Sequence, residues 1–254
     1  MLAPERHQQI LTLLDERGTV RTIDLAQEFQ VTDETIRRDL QILADNHQLA
    51  RVHGGASSMN GRPKLQSFTE RRAIRVLQKR AIALAALDLI QPGQTYAFDS
   101  STTAFELVCA LPDLPYRIVT NAYAVIDHLV RLEQIELVSI GGRYDPKTQT
   151  FIGGDSQSTL NRHNINTAFI SCIGLDLKRG ASEGFEAQAG FKESLVQIAE
   201  KVVLLVDSNK FNKRSEYFFS DLTNLNTIIT DNKADPAFIA ELRDRGCHVI
   251  IADL

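Results

Sequence analysis

Residues Asp99, Ser100, Ser101, Thr102 and Thr103 follow a short apolar run and precede a helix-length segment. Backbone N–H groups at a helix N-terminus carry positive partial charge, and neighbouring hydroxyl groups add hydrogen-bond donors. The stretch therefore predicts a phosphate-binding site. Ser and Thr also cap ordinary helices, so this pattern alone leaves phosphate binding and simple capping equally open.

Small and polar residues also follow the other apolar runs of the C-terminal region. The carboxyl ends of parallel strands share one edge of a sheet, where ligands of open α/β sheets bind. Glycines let a ligand approach the backbone, lysines supply positive charge, and carboxylates accept hydrogen bonds from sugar hydroxyls. We predict a site for a small, polar, anionic ligand that combines Asp99–Thr103 with Asn121, Gly141, Gly142, Gly174, Asp176, Glu183, Lys192 and Lys210.

A second group of candidates lies in the first 57 residues, where Arg37 and Arg38 stand side by side in an amphipathic segment. At about 100° per residue, Ile36, Leu40 and Leu43 fall on one helical face and must turn to a core. Arg38 then points away from that core. A guanidinium so placed can reach phosphates and base edges of a double helix.

The spacing also predicts the elements that position these arginines. We expect helices from Pro4 to Arg17, from a cap at Thr22 and from a cap at Thr32, with a tight second connection typical of a helix-turn-helix. The stretch "QLARVHGGA" predicts a strand and a glycine turn, which form a wing. The predicted DNA contacts are Thr22, Thr32, Thr35, Arg37, Arg38, Gln41, Arg51, His53 and Gly54.

From residue 95 onward, short β-branched apolar runs alternate with mostly helix-length segments. Continuous apolar runs without alternation are typical of strands buried on both faces, so we predict an α/β domain with a mostly parallel sheet. The predicted strands are 95–98, 117–120, 135–140, 167–173, 202–206, 227–230 and 248–252.

The predicted domains are a winged helix-turn-helix at 1–57, a linker at 58–75, and an effector-binding and oligomerisation domain at 76–254. Residues 67–90 have a helical pattern with a basic first half. Segment 62–80 is basic and lies between the two predicted domains, where it would transmit a structural change from one to the other. A helix with a solvent-exposed basic face explains these charges equally well.

Composition narrows the class of protein. The 254 residues carry a formal net charge of −4 at pH 7, and no apolar run reaches the roughly 18 residues of a membrane span. The charged N-terminus, three widely spaced cysteines and scattered histidines predict a cytoplasmic protein without metal or cofactor. Residues 1–57 hold six Arg against nine acidic residues, so affinity for DNA must come from arginines on one surface.

These motifs resemble a known family. The pattern R-x3-I-x3-L from Arg6 to Leu14, followed by T-x2-TIRRDL from Thr32 to Leu40, is similar to the N-terminal signature of the DeoR family of bacterial transcription regulators. The later stretches "VHGGA", "FDSSTT", "VTN", "GGR", "IGLD" and "DSNKF" occur in the order such regulators show. The resemblance covers nearly the whole chain.

The resemblance implies an N-terminal domain that binds operator DNA. It also implies a C-terminal domain that resembles ribose-5-phosphate isomerase and serves as a sensor of a phosphorylated sugar. It matches Ser100–Thr103 with the phosphate loop of those enzymes, Asp176 with an active-site aspartate, and Lys210 with a family lysine. Two residues depart from the family pattern: Asn209 replaces a usual Ser, and Ser101 replaces a usual Gly. The Ser101 side chain points to a different sugar.

The leading hypothesis is a homo-oligomeric repressor, a dimer or tetramer, of a sugar catabolic operon, controlled by a phosphorylated sugar and without enzyme activity. The alternative is an enzyme like a sugar-phosphate isomerase with an accessory DNA-binding head. A third hypothesis is a nucleic-acid module without effector control.

Overall fold

The computed structural model describes residues 2–46, 48–57, 66–153 and 158–254. The chain folds into two compact units, Met1–Gln66 and Ser67–Leu254. Among the described residues, no helix has both the length and the apolar character needed to cross a membrane.

The first unit is a winged helix-turn-helix, as predicted. Its antiparallel sheet has the strand order β1-β3-β2, and the three helices bury Ile10, Leu25, Ile36 and Leu40 against one another. The elements are α1 (Ala3–Arg17), β1 (Thr19–Arg21), α2 (Thr22–Phe29), α3 (Asp33–Asp45), β2 (Ala50–Val52) and β3 (Gly55–Ser57).

One of the two predicted helix caps is confirmed. The Thr32 hydroxyl accepts a hydrogen bond from the Thr35 N–H at 3.2 Å, at the start of α3. The cap at Thr22 is wrong, because Arg21 occupies the N-cap position and Thr22 is the first residue of α2. Strand β1 runs directly into this helix, and the Thr22 N–H donates to the Gly54 carbonyl at 2.9 Å. Thr22 therefore anchors the turn of the wing.

A buried ion pair holds α3 against α1. Arg6 Nε lies 2.5 Å from Asp39 Oδ2, Arg6 Nη2 donates to Oδ1 at 3.0 Å, and His7 Nε2 lies 2.9 Å from Oδ1. Burial by itself would raise the pKa of Asp39, but the hydrogen bonds from Arg6 and His7 lower it overall. The charged carboxylate thus fixes the helix that carries Arg37 and Arg38.

The second unit contains a seven-stranded sheet whose neighbouring strands are all parallel, in the order β15-β14-β12-β9-β4-β5-β6. The seven strands predicted from residue 95 onward all lie in this sheet. The strands are β4 (Thr95–Phe98), β5 (Arg117–Thr120), β6 (Glu136–Ser139), β9 (Ile165–Ile170), β12 (Ala199–Leu205), β14 (Thr227–Asp231) and β15 (His248–Ala252).

Helices cover both faces of this sheet. One face packs against α5 (Val76–Leu87), α6 (Thr102–Ala110) and α7 (Tyr123–Leu129), and the other against α8 (Glu186–Ile198) and α9 (Pro236–Asp244). The adjacent residues Ala97 and Phe98 are fully buried on opposite faces, which explains why the strands are continuously apolar.

Two small antiparallel sheets were not predicted from the sequence. One is the hairpin of β7 (Arg143–Asp145) and β8 (Thr150–Ile152). The other has the order β10-β11-β13 and consists of β10 (Gly174–Asp176), β11 (Gly180–Glu183) and β13 (Tyr217–Ser220). Their strands are only three or four residues long, too short for a periodic pattern to emerge.

The predicted linker at 58–75 is too long, because its second half contains helix α4 (Phe68–Ala73) of the second unit. The helix starts with a capping box, in which the Ser67 hydroxyl accepts from the Glu70 N–H and the Glu70 carboxylate accepts from the Ser67 N–H. Residues 58–65 lie outside the described residues. The expected helix at 67–90 is two helices, because Arg75 has a left-handed backbone with φ of 51°.

Lys79 of α5 joins these two helices. Its buried ammonium donates to the carbonyl oxygens of Arg71 and Arg72, at the C-terminal end of α4. Burial lowers the pKa of Lys79 to about 8; the charges of Lys210 and Arg71 act in the same direction, and Asp207 and Glu106 oppose them.

The Asp39–Arg6 pair predicts a loss of stability in Asp39→Asn. Removing one charge of a buried pair leaves the other uncompensated, which costs about 3–5 kcal/mol. We expect faster amide hydrogen exchange in α1 and α3 of the full chain. Asp45→Asn, at the exposed end of the same helix, is the control. Equal protection in Asp39→Asn and the wild type would contradict a structural role of the pair.

The low pKa of Lys79 predicts a stability that rises with pH. The folded chain releases this proton near pH 8, whereas an unfolded chain keeps it to about pH 10.4. Between these values the unfolded state binds more protons, so stability increases, by at most about 3 kcal/mol. Denaturant unfolding at pH 7.5 and 9.5 should show this gain in the wild type and in the exposed-site control Lys201→Met. The same gain in Lys79→Met would exclude Lys79 as its source.

Candidate functional site

The exposed face of α3 carries three of the predicted DNA contacts, Arg37, Arg38 and Gln41. Arg37 and Arg38 are exposed, and Arg38 Nε lies 3.5 Å from Glu34 Oε1 in an i,i+4 pair. Gln41 is exposed too, and its side-chain amide donates to Asp45 Oδ1 at 2.8 Å. These contacts lie at the surface, so the side chains can exchange them for contacts to DNA at small cost.

The other predicted DNA contacts fall into two groups. Thr32 is exposed beside half-buried Thr35, with their hydroxyl oxygens 2.9 Å apart, and the wing exposes Arg51, His53 and Gly54. Gly54 has a φ of 77°, a conformation that favours glycine at the tip of the hairpin. Thr22 does not belong with them, because its side chain is buried.

In the second unit, the carboxylate of Asp99 joins two strand ends. Asp99 is fully buried after β4; its Oδ1 accepts from the Ser101 N–H and its Oδ2 from the Ser171 N–H, both at 2.9 Å. Because Ser171 follows β9, the carboxylate ties the loop before α6 to the neighbouring strand of the sheet.

Lys192 of α8 neutralises this buried charge. Its ammonium lies 3.3 Å from Asp99 Oδ2, contacts the carboxylate of Glu183, and donates to the Ser171 carbonyl at 2.8 Å. Burial alone would lower the pKa of Lys192, but the charges of Glu183 and Asp99 raise it overall. Three predicted ligand residues therefore form one buried, charged unit, in which Lys192 stays protonated.

The hydroxyl stretch is buried at the N-terminus of α6. The Ser101 hydroxyl accepts from the Ala104 N–H at 3.1 Å, which is the capping role that the sequence left open. The Ser100 hydroxyl accepts from the side-chain amide of Gln188 at 3.2 Å. Thr102 and Thr103 lie in the first turn and are buried. Capping is thus observed at Ser101, and phosphate binding stays a prediction.

Asn121 follows β5 and is buried beside a cavity of about 250 Å³. Strand β8, Gly153 and the first turns of α8 form the walls of this cavity. The side-chain amide of Asn121 donates to the Phe151 carbonyl at 3.1 Å, whereas its Oδ1 has no hydrogen-bond partner among the described residues. A buried acceptor without a partner is costly, so a ligand hydroxyl or a water would stabilise it.

Lys210 follows β12 and joins the charged unit from its other side. Its ammonium donates to the Cys172 carbonyl at 2.7 Å and to the Ser171 hydroxyl at 3.2 Å, and lies 3.9 Å from Asp207 Oδ2. Arg75 Nη1 lies 3.5 Å from the other oxygen of Asp207. The structure thus brings Lys210 and Lys192 together through Ser171, as the shared sheet edge predicts.

Gly174 and Asp176 have local structural roles. A side chain at Gly174 would collide with the backbone of Lys213, so close packing of two chain segments requires glycine there. The Asp176 carboxylate accepts from the N–H groups of Lys178 and Arg179 and from Arg214 Nε, and the Arg214 bond lowers its pKa most. Effector binding by Gly174 and Asp176 stays a prediction without a contact to Lys192 to support it.

Gly141 and Gly142 are exposed after the edge strand β6, two strands away from β4. Their effector binding also stays a prediction.

The structure adds residues that the sequence does not predict as part of the site. The Ser171 carbonyl accepts from Lys192, and the side-chain amide of Gln188 donates to the Ser100 hydroxyl. Burial lowers the pKa of Arg71 in α4, and the charges of Glu183 and Asp99 oppose this. Arg71 lies where the predicted linker at 58–75 overlaps the helical pattern at 67–90. Nothing in the local sequence distinguishes Ser171 or Gln188 from ordinary polar residues.

Comparisons with known proteins agree with this architecture. The profile of the DeoR-like helix-turn-helix domain matches residues 6–62, and that of the DeoR C terminal sensor domain matches residues 74–232. The chain is similar to ribose 5-phosphate isomerase A from Methanocaldococcus jannaschii with a TM-score of 0.40 and 16% identity, over 52% of this chain and 53% of the other.

Several relatives match most of the chain and most of their own length. The L-fucose operon activator of Haemophilus influenzae is 36% identical, over 89% of this chain and 91% of its own length. The lactose phosphotransferase system repressor of Staphylococcus epidermidis is 31% identical, over 90% and 92%. The HTH-type transcriptional regulator YulB of Bacillus subtilis is 34% identical, over 100% and 98%. With both of its units matched, this chain belongs to the DeoR family of transcription regulators.

Proposed function

We propose that this regulator represses a sugar catabolic operon and that a phosphorylated sugar controls its affinity for operator DNA. The observation that carries the effector proposal is the buried Asn121 Oδ1 beside the cavity, because it offers an acceptor for a ligand hydroxyl. The names of the relatives support the choice of sugar operons. One of them is an activator and another a repressor, so the sign of regulation is part of the proposal.

The charges around Asp99 support an anionic ligand. Among the described residues, ion pairs join Lys192 to Asp99 and Glu183, and join Arg75 and Lys210 to Asp207. The ammonium groups of Lys192 and Lys210 lie on either side of Ser171. With the N–H groups at the N-terminus of α6, they are donors that a phosphate group would bind.

Regulation would follow from linkage between the ligand and DNA. A homo-oligomer, a dimer or tetramer, presents two or more DNA-binding domains, and operator half-sites are spaced by about one helical turn or multiples of it. A ligand that binds one arrangement of these domains more tightly shifts the affinity for DNA only by the difference in its binding free energy between the arrangements. The second unit, as the proposed site of oligomerisation, would set this arrangement.

The chemistry of the site supports binding rather than turnover. A lysine base must lose its proton, but two carboxylates hold the Lys192 ammonium in its charged form. Both oxygens of the Asp99 carboxylate already accept hydrogen bonds from N–H groups of the backbone. We therefore propose a sensor without isomerase activity. Isomerisation of a sugar phosphate by the purified chain, abolished in Asp99→Asn, would contradict this.

The effector proposal predicts a thermal shift with a phosphorylated sugar. A ligand at 100 times its dissociation constant stabilises the folded state by about 2.7 kcal/mol. Screening phosphorylated pentoses and hexoses by differential scanning fluorimetry should find one that raises Tm and changes operator binding. The unphosphorylated parent sugars are the control. A complete screen without any shift would count against a sugar-phosphate sensor.

The DNA-binding face predicts that Arg38→Ala weakens operator binding by about 1–3 kcal/mol, the value of a good base contact. The measurement is fluorescence anisotropy at fixed salt with an operator selected from random duplexes. Arg245→Ala is a matched control, since Arg245 also forms an i,i+4 pair with a glutamate, at 3.7 Å. Unchanged affinity in Arg38→Ala would show that α3 does not read DNA through this residue.

A further inference from the structure

Helix α5 exposes large apolar side chains. Of the thirteen large hydrophobic residues that are exposed in the described part of the chain, four lie between residues 74 and 89, in this helix or directly beside it. Leu77 and Leu84, within the helix, are 71% and 61% exposed. Single exposed leucines are common on globular proteins, whereas a cluster on one element is typical of an interaction surface.

The helical period places these two leucines on one side of α5. Leu77 and Leu84 are seven residues apart, about two turns, so they face the same direction, and Ala81 lies between them. The buried residues Ile82 and Ala86 lie on the opposite side of the helix, in the core. Leu77, Ala81 and Leu84 therefore form an apolar stripe, with the spacing at which side chains of two paired helices interlock.

The charges along α5 favour a second helix that runs in the opposite direction. Arg80 is exposed, 3.6 Å from Glu106 of α6, and the first turn of α5 contains no acidic residue. Asp88 directly follows the helix and is exposed. A carboxylate is unfavourable at the C-terminal end of its own helix, but the positive N-terminal end of an antiparallel neighbour would attract it.

We infer that the apolar stripe of α5 is an interface between two copies of this chain, whose α5 helices pack antiparallel across a twofold axis near Ala81. Leu77 of each copy then faces Leu84 of the other, and the small side chain of Ala81 allows a close approach. Asp88 of each copy lies beside the N-terminal end of the other helix, whereas parallel helices would bring the two Asp88 carboxylates together. This inference rests on the proposed homo-oligomer and names its surface.

The test measures the mass of the full chain by analytical ultracentrifugation over a range of concentrations. We expect a dimer or tetramer in the wild type and half that mass in Leu84→Glu. The dissociation constant of the variant should be roughly a hundredfold higher, because each pair loses two buried leucines. Val130→Glu is the matched control, since Val130 is 63% exposed in the same unit but lies outside α5. Circular dichroism and Tm establish that each variant is folded.

Exchanging charges tests the antiparallel arrangement. Leu77→Lys alone should dissociate the pair as Leu84→Glu does, because each places an unpaired charge in an apolar contact. In the double variant Leu77→Lys with Leu84→Glu, the new ammonium of each copy faces the new carboxylate of the other, so the original mass should return. Parallel helices would bring like charges together, and the double variant would stay dissociated.

The outcomes separate this inference from the proposed function. A wild type of monomer mass at every concentration would overturn both the inference and the proposed homo-oligomer. An oligomer whose mass Leu77→Lys and Leu84→Glu leave unchanged would overturn the inference alone, and a lower Tm at that unchanged mass would mean that the stripe packs within its own chain. Equal dissociation in Val130→Glu, or a double variant that stays dissociated, would also overturn it. Control of operator binding by a sugar phosphate is measured separately, so its absence leaves the α5 interface standing.

Discussion

The buried carboxylate of Asp99 is the constraint on which the candidate site depends. It lies where β4 ends, and it orders two loops by accepting from the N–H groups of Ser101 and Ser171. A fully buried charge is tolerable only with a close counter-charge, which Lys192 supplies from α8. Two loops and a helix from distant parts of the chain are thereby held together at the edge of the sheet.

This arrangement separates the groups that hold the site from those that can bind a ligand. Lys192, Glu183 and Asp99 satisfy one another and have little hydrogen-bonding capacity left. Asn121 Oδ1 has no hydrogen-bond partner among the described residues. In the proposed effector site, Asn121 is therefore the group that a ligand hydroxyl would stabilise, because the new hydrogen bond replaces no existing one.

The sequence predicts the fold well where long patterns repeat. The parallel strands follow from runs such as "VVLLV", since burial on both faces leaves only apolar residues, and the recognition helix follows from the spacing of Ile36, Leu40 and Leu43. The sequence predicts the role of a residue poorly where a single tertiary contact determines that role. Thr22 has the residue type of a cap, but the preceding strand moves the cap to Arg21. Gly174 has the residue type of a ligand contact, but the backbone of Lys213 requires it.

The sequence predicts part of the candidate site. Asp99, Glu183 and Lys192 are candidates because of their charge or their positions at strand ends, and the structure joins them directly. Ser171 and Gln188 are not candidates, because only the tertiary structure brings their side chains and backbone to Lys192 and Ser100. The start of α4 is visible in the sequence, because Ser67 and Glu70 have the spacing of a capping box.

Each unit uses a buried carboxylate to hold its elements in place, Asp39 in the first unit and Asp99 in the second. Asp39 is bound by Arg6 and His7, and these contacts hold α3 in place. Arg37 and Arg38 of the same helix are exposed and free to contact DNA. Asp99 is bound by Lys192, and this pair holds together the two loops at the strand ends. In each unit, an ion pair within the protein therefore fixes the positions of the groups proposed to bind DNA or the effector, and preorganised groups bind with less entropy loss.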